Sequence, residues 1–130
     1  MNYVQFRVAR PTDQLERVIE FYERGLGLKR VGEFWDHDGY DGVMYGLPNV
    51  DYHLEFTQHQ SGSPCPAPSR DNLLVFYMPN REEMEFVTDR LHRLGYYEVE
   101  PENPYWAAKG RTFEDPDKWR IVLMNTSGLG

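Results

Sequence analysis

Apolar and polar residues alternate from Tyr3 to Ala9. Val4, Phe6 and Val8 fall on one face and Tyr3, Gln5 and Arg7 on the other, which predicts a strand. Asp13 and Glu16 stand at capping-box spacing, and Leu15, Val18, Ile19, Tyr22 and Leu26 follow at helical intervals, with Gly25 and Gly27 as the stop. Strand-like runs near 28–35, 42–47 and 52–58 complete the first half. The segment 59–70, HQSGSPCPAPSR, reads as a linker because proline and serine dominate it. The second half repeats the order. A strand spans Leu73–Met78, Asn80 and Glu83 form a second capping box, and Met84, Val87, Leu91 and Leu94 keep helical spacing up to Gly95. Further strand-like runs lie near 96–100, 107–114 and 119–124, the last preceded by an Asp115-Pro116 turn. The two Leu-Gly helix ends, at Gly27 and Gly95, are 68 residues apart, as are the cap positions Thr12 and Asn80. A βαβββ unit used twice is the simplest reading.

Each unit alone would leave one sheet face bare. The expectation is an α+β fold: two paired βαβββ modules forming a curved mixed sheet around a concave pocket. The modules run from about 1–58 and about 71–126 within a single domain, 1–130. Period-two sorting puts Phe6, Leu74, Ile121 and Leu123 on the helix side. It puts Tyr3, Gln5, Arg7, His53, Glu55 and Arg120 on the concave side, with the apolar Leu73, Val75 and Val122. The polar side chains thus collect where a ligand would enter.

Composition narrows the function. At 130 residues, 40% hydrophobic and 27% charged, the chain supports a packed core and shows no sign of disorder. Its longest apolar run, Leu73–Met78, is too short to cross a bilayer, and the N-terminus lacks a signal peptide's apolar segment. The single cysteine, Cys65, allows no internal disulfide and fits a cytoplasmic location. A formal charge of −7 argues against nucleic acid, whose binders need cationic surface. Aromatic residues reach 15%; core packing accounts for most of them, and others are of the kind that line concave sites for flat apolar ligands. Cys65 has no cationic neighbour in sequence to activate it, and no nucleophile elbow or phosphate loop is present. The stretch WDHDGYDG (35–42) lacks calcium-loop spacing and reads as a hairpin turn served by Gly39 and Gly42.

In this order, the strand FRVARP, the helix end FYERGLGL, the strand YHLEF and the turn DPDKWRIVL resemble the vicinal oxygen chelate superfamily over essentially the whole chain. That group includes glyoxalase I, extradiol dioxygenases, and fosfomycin and bleomycin resistance proteins. The resemblance implies four pocket positions that commonly hold a divalent metal, here Tyr3, Glu55, Leu73 and Val122. Only Glu55 is a good oxygen ligand, and Arg120 would repel a cation, so the expectation is no metal and no other cofactor. A different set, His53 and Glu55 joined by His37 or His59, stays open. Arg7 matches the position at which glyoxalase I holds its substrate's carboxylate. It could equally pair with Glu55, which is expected between Arg7 and Arg120 because charges on that side need partners. The resemblance also implies ligand contacts from Trp35, Trp106, Arg111 and Phe113, with Phe34, Tyr45 and Tyr105 nearby at the pocket mouth.

Two functions follow. One is a metal-free, homodimeric protein that binds a small aromatic or cationic molecule in the manner of bleomycin resistance proteins. The other is a metal-dependent glyoxalase-I-like lyase or dioxygenase-type enzyme with Glu55 as ligand or catalytic base.

Overall fold

The computed structural model describes residues 1–46 and 50–129, which form two compact units, Met1–Cys65 and Pro66–Gly130. In the first, β1 (Phe6–Pro11), α1 (Leu15–Ile19), β2 (Lys29–His37), β3 (Tyr40–Gly46) and β4 (Tyr52–His59) give a four-stranded sheet in the order β1-β4-β3-β2. Strand β1 runs parallel to β4, and the other pairs are antiparallel. This is one βαβββ module. Leu47, the last residue of the expected run 42–47, lies outside the described residues.

The start of α1 differs from expectation. Asp13 and Glu16 do not close a capping box. Instead Thr12 Oγ1 accepts from Gln14 N, Gln58 Oε1 of β4 accepts from Leu15 N, and Asp13 accepts from Ser63 N. Orphan amides at a helix start need acceptors, and here a neighbouring strand supplies one. Beyond Ile19 the helix widens into a π-helical segment, Glu20–Gly25, marked by Leu26 N donating to Phe21 O. The wider turn lets the consecutive residues Phe21 and Tyr22 both bury fully. Tyr22 lies 4.5 Å from Phe56 between ring centroids, and the Arg10 guanidinium covers the Phe56 ring at 4.9 Å. Arg10, not Phe6 or Val8, therefore carries the helix-side packing of β1, and those two apolar residues are exposed.

The β2–β3 hairpin turns on Asp38-Gly39, both at positive φ (52° and 86°), the type I′ geometry that Asp-Gly favours. Gly42 is not part of that turn. It lies within β3 beneath the Phe34 ring, which leaves no room for a side chain. On the helix side, Tyr45 is buried and donates to Glu23 Oε1 at 3.1 Å, and Arg30 Nε donates to the same oxygen at 2.8 Å. Burial first, then the Glu23 charge and hydrogen bond, pushes the Tyr45 phenol well above its ordinary range.

The second unit contains β5 (Leu73–Tyr77), α2 (Arg81–Arg93), a 3₁₀ turn (Pro104–Trp106), β6 (Gly110–Glu114) and β7 (Arg120–Met124). Its sheet has the order β5-β7-β6, with β5 parallel to β7, so it repeats the topology of β1, β4 and β3. The strand expected at 96–100 is reduced to an isolated bridge, Val99 with Thr112. Asn80 caps α2 as expected, accepting from Glu83 N at 3.2 Å. Asp115 builds the turn before β7 by accepting from both Asp117 N and Trp119 N. An ion-pair chain braces α2: Arg111 meets Glu85 and Glu98, and Glu98 meets His92.

Two outcomes check this account. Asn80→Ala is expected to cost about 1 kcal/mol of unfolding free energy, while Asn80→Asp keeps most of it. For Glu98, burial pushes the carboxyl up, but the His92 hydrogen bond, a backbone amide and the charges of His92 and Arg111 outweigh it, for a net lowering. A carboxylate lowered in the folded state contributes stability above its unfolded value and loses it as pH falls through the folded value. Denaturant unfolding across the acid range should therefore show Glu98→Gln less stable than the parent chain near neutrality. That difference should shrink as the pH falls.

Candidate functional site

The face of the first sheet turned away from α1 gathers several of the polar candidates. Residues opposite in register share a face, so Arg7 beside His53, and Glu55 beside both Ala9 and Met44, all point the same way. The Arg7 guanidinium gathers them. Its Nε donates to His53 Nε2 at 2.7 Å, Nη1 to Glu55 Oε2 at 3.1 Å, and Nη2 to Met44 Sδ at 3.4 Å. Because His53 Nε2 accepts, the neutral ring carries its proton on Nδ1. The Glu55 side chain is 13% exposed and that of Arg7 44%, so the carboxylate lies beneath a guanidinium that still reaches solvent. Three of Arg7's five N–H groups are thus engaged, leaving two with no acceptor among the described residues.

The remaining candidates fall elsewhere. Tyr3 and Gln5 precede the β1–β4 ladder, which begins at Phe6 opposite Tyr52, and both are exposed. Arg120 does not need Glu55 as its partner. Its side chain is 5% exposed, and it donates to Glu114 Oε2 at 3.3 Å and to the Glu100 carbonyl at 2.7 Å, all within the second unit. Phe113 is not at a pocket mouth but fully buried beside His92, and Arg111 is held by Glu85 of α2, so both face the helix. Tyr45 is likewise core. Trp35 is exposed, donates to Glu33 at 2.6 Å, and lines a cleft of about 800 Å³ with Gln14, Arg17, Asp41 and Gln58. That cleft lies on the α1 side of the sheet, the opposite face from Arg7. Trp106 sits in the 3₁₀ turn, edge-to-face with Tyr105, its carbonyl over Gly110. Met44 was missed by sequence reasoning. Its signal was available, since it alternates with the buried Val43 and Tyr45 and so must share the open face with Glu55.

A divalent metal does not fit this donor set. His53 Nε2 and Glu55 Oε2 both accept from a guanidinium whose charge opposes a cation beside them. His37 faces Asp38 and His59 packs on Tyr40, and no group of three His, Cys, Asp or Glu side chains among the described residues could hold an ion. What the arrangement offers is an oriented guanidinium, balanced by one carboxylate, on a face that also bears Phe34 and Met44.

Residues 6–57 match the YycE-like N-terminal domain and residues 71–125 the YycE-like C-terminal domain. The uncharacterized protein YycE of Bacillus subtilis (strain 168) is 61% identical over 125 residues, covering 96% of this chain and 90% of that one. The crystal structure of a YycE protein of unknown function from Bacillus subtilis superposes with a TM-score of 0.93 at 60% identity, covering 98% of this chain and 93% of that one. Two more distant structures show the same fold. The trypanothione-dependent glyoxalase I of Leishmania major gives a TM-score of 0.72 at 18% identity over 96% of this chain and 87% of that one. The antibiotic binding protein TnmS3 of Streptomyces sp. CB03234 gives 0.66 at 20% identity over 98% of each.

The pairing is open to a double-mutant cycle. Arg7→Leu and Glu55→Leu should be non-additive by about 1 kcal/mol, a modest value because Arg7 is screened by solvent. The buried Arg120 should couple more strongly to Glu114, and Glu114→Leu alone should cost about 3 kcal/mol. Additive effects in the first pair would mean that Arg7 and Glu55 do not hold each other.

Proposed function

Because the chain belongs to the YycE-like family of the vicinal oxygen chelate superfamily, we propose that it binds a small molecule without a metal, on the open face of its first module. The observation that carries this reading is the Arg7 guanidinium held by His53 and Glu55. Charge-assisted hydrogen bonds fix its plane, so recognition costs little ordering. Of the two ligand chemistries suggested by the sequence, aromatic and cationic, the aromatic one fits better. Glu55 is already balanced by Arg7, so an incoming cation finds a neutralised pair, whereas Phe34 supplies flat apolar surface. The fold's presence in an antibiotic binding protein is compatible with such a role.

The reading further takes residues 1–58 and 71–126 as modules of one cytoplasmic domain that works as a homodimer. Strands β1 and β5 end their own sheets, and edge strands favour pairing with another chain. The enzymatic alternative, metal-assisted lyase or dioxygenase chemistry at Glu55, would require Arg7 to release both His53 and Glu55.

Protein incubated with nickel, zinc or manganese and then desalted is expected to retain well below one ion per chain. Calorimetric titration with a panel of flat aromatic compounds should find binding that Arg7→Ala weakens about tenfold or more, the worth of a hydrogen bond to a charged group. Stoichiometric metal that disappears in Glu55→Gln would overturn the proposal in favour of the enzyme.

A further inference from the structure

The three acceptors around Arg7 are unequal. An imidazole nitrogen at 2.7 Å and a carboxylate oxygen at 3.1 Å are strong partners, but the third, Met44 Sδ at 3.4 Å, is a thioether and a weak one. An oxygen that displaced either of the first two would gain little. Two further N–H groups of Arg7 have no acceptor among the described residues, but the one held by the sulfur is directed toward β3 and the side of the Phe34 ring. An oxygen that displaced the sulfur there would exchange a weak bond for a charge-assisted one. Met44 is also the partner best able to move, because it is unbranched and flexible. Its side chain spans the sheet from Arg7 on β1 to Gly32 on β2, where its terminal carbon lies 2.9 Å from the place a Cβ would occupy. Gly32 has no side chain to fill the space if Met44 withdraws, so the backbone there becomes a floor beside the Phe34 ring.

Charge selects the ligand further. The side chains bordering Arg7 come from His53, Glu55 and Met44, and Glu55 is the one charge among them. An anionic ligand would meet Glu55, and a cationic one would meet Arg7. We propose that the ligand is a neutral aromatic compound bearing an oxygen acceptor such as a carbonyl, which takes the Arg7 Nη2–H from Met44, so that Met44 is the residue that yields and sets specificity. This rests on the reading that the open face of the first module is the binding site.

The experiment uses the full chain, labelled at the methionine methyl groups and at arginine Nε. It is titrated with benzamide, with benzoate and benzylammonium as charged comparators, and followed by NMR. The Met44 methyl signal is assigned with Met44→Leu. Benzamide should shift both the Met44 methyl and the Arg7 Nε–H signals and bind more tightly than either comparator. Met44→Ala should bind benzamide about three- to tenfold more tightly, because the competing bond is gone. A shift at Arg7 with the Met44 methyl unmoved would overturn this inference and leave the binding reading standing. Tighter binding of benzoate or benzylammonium would overturn the neutral-ligand assignment. No shift at Arg7 or Met44 with any of the three would overturn both readings.

Discussion

A guanidinium on a sheet face must find acceptors on the strands beside it, and at Arg7 this requirement ties the local fold to the site. The parallel β1–β4 register sets Arg7 beside His53, with Glu55 two residues further along the same face. A slip of one residue would turn Arg7 toward α1 and expose Glu55 without its cation. Several interactions hold the register. Phe6 N donates to Asp51 O, Thr12 N to Thr57 O, and Gln58 of β4 reaches across to the first amide of α1. Arg10, one pleat beyond Arg7 on the opposite face, lies over Phe56 and donates to the Tyr22 hydroxyl. The same strand therefore anchors the core with one arginine and gathers His53 and Glu55 on the open face with another.

The two modules share a topology but divide the labour. Where the first places Arg7 beside His53 across its parallel pair, the second places Val75 beside Val122. Its charged side chains serve the fold instead. Arg120 ties the end of β6 to the Glu100 carbonyl, and Arg111, Glu85, Glu98 and His92 brace α2 against the sheet. Truncation of a strand to the single bridge at Val99 leaves the second sheet with three strands.

The features legible in the sequence are those with a local cause. The repeat, the Asn80 cap, the Asp38-Gly39 hairpin and the α+β class follow from periods of 2 and 3.6 and from turn chemistry within a few residues. The features that were not legible depend on distant partners. The amide acceptor at the start of α1 comes from Gln58, 43 residues away, so the Asp13–Glu16 spacing was a misleading signal. YYEVE at 96–100 has strand composition, but pairing is decided by whether a neighbour presents its edge, and only Val99 finds one. Alternation correctly set Arg7, His53 and Glu55 on one face, and the Arg7–Glu55 pair is present, yet alternation cannot name distant partners, and Arg120, expected as a second neighbour of Glu55, is held by Glu114. The resemblance made Tyr3 a pocket position, whereas the β1–β4 ladder begins three residues later, at Phe6.

Arg7 engages His53 Nε2 and Glu55 Oε2, and its charge opposes a metal ion beside them. The ¹⁵N spectrum of the His53 imidazole tests it most directly, recorded near neutral pH before and after addition of zinc. Nε2 should show the signature of a hydrogen-bond acceptor, with the ring proton on Nδ1, and no change when zinc is added. A ring protonated on Nε2, or an Nε2 signal that moves stoichiometrically with zinc, would contradict it.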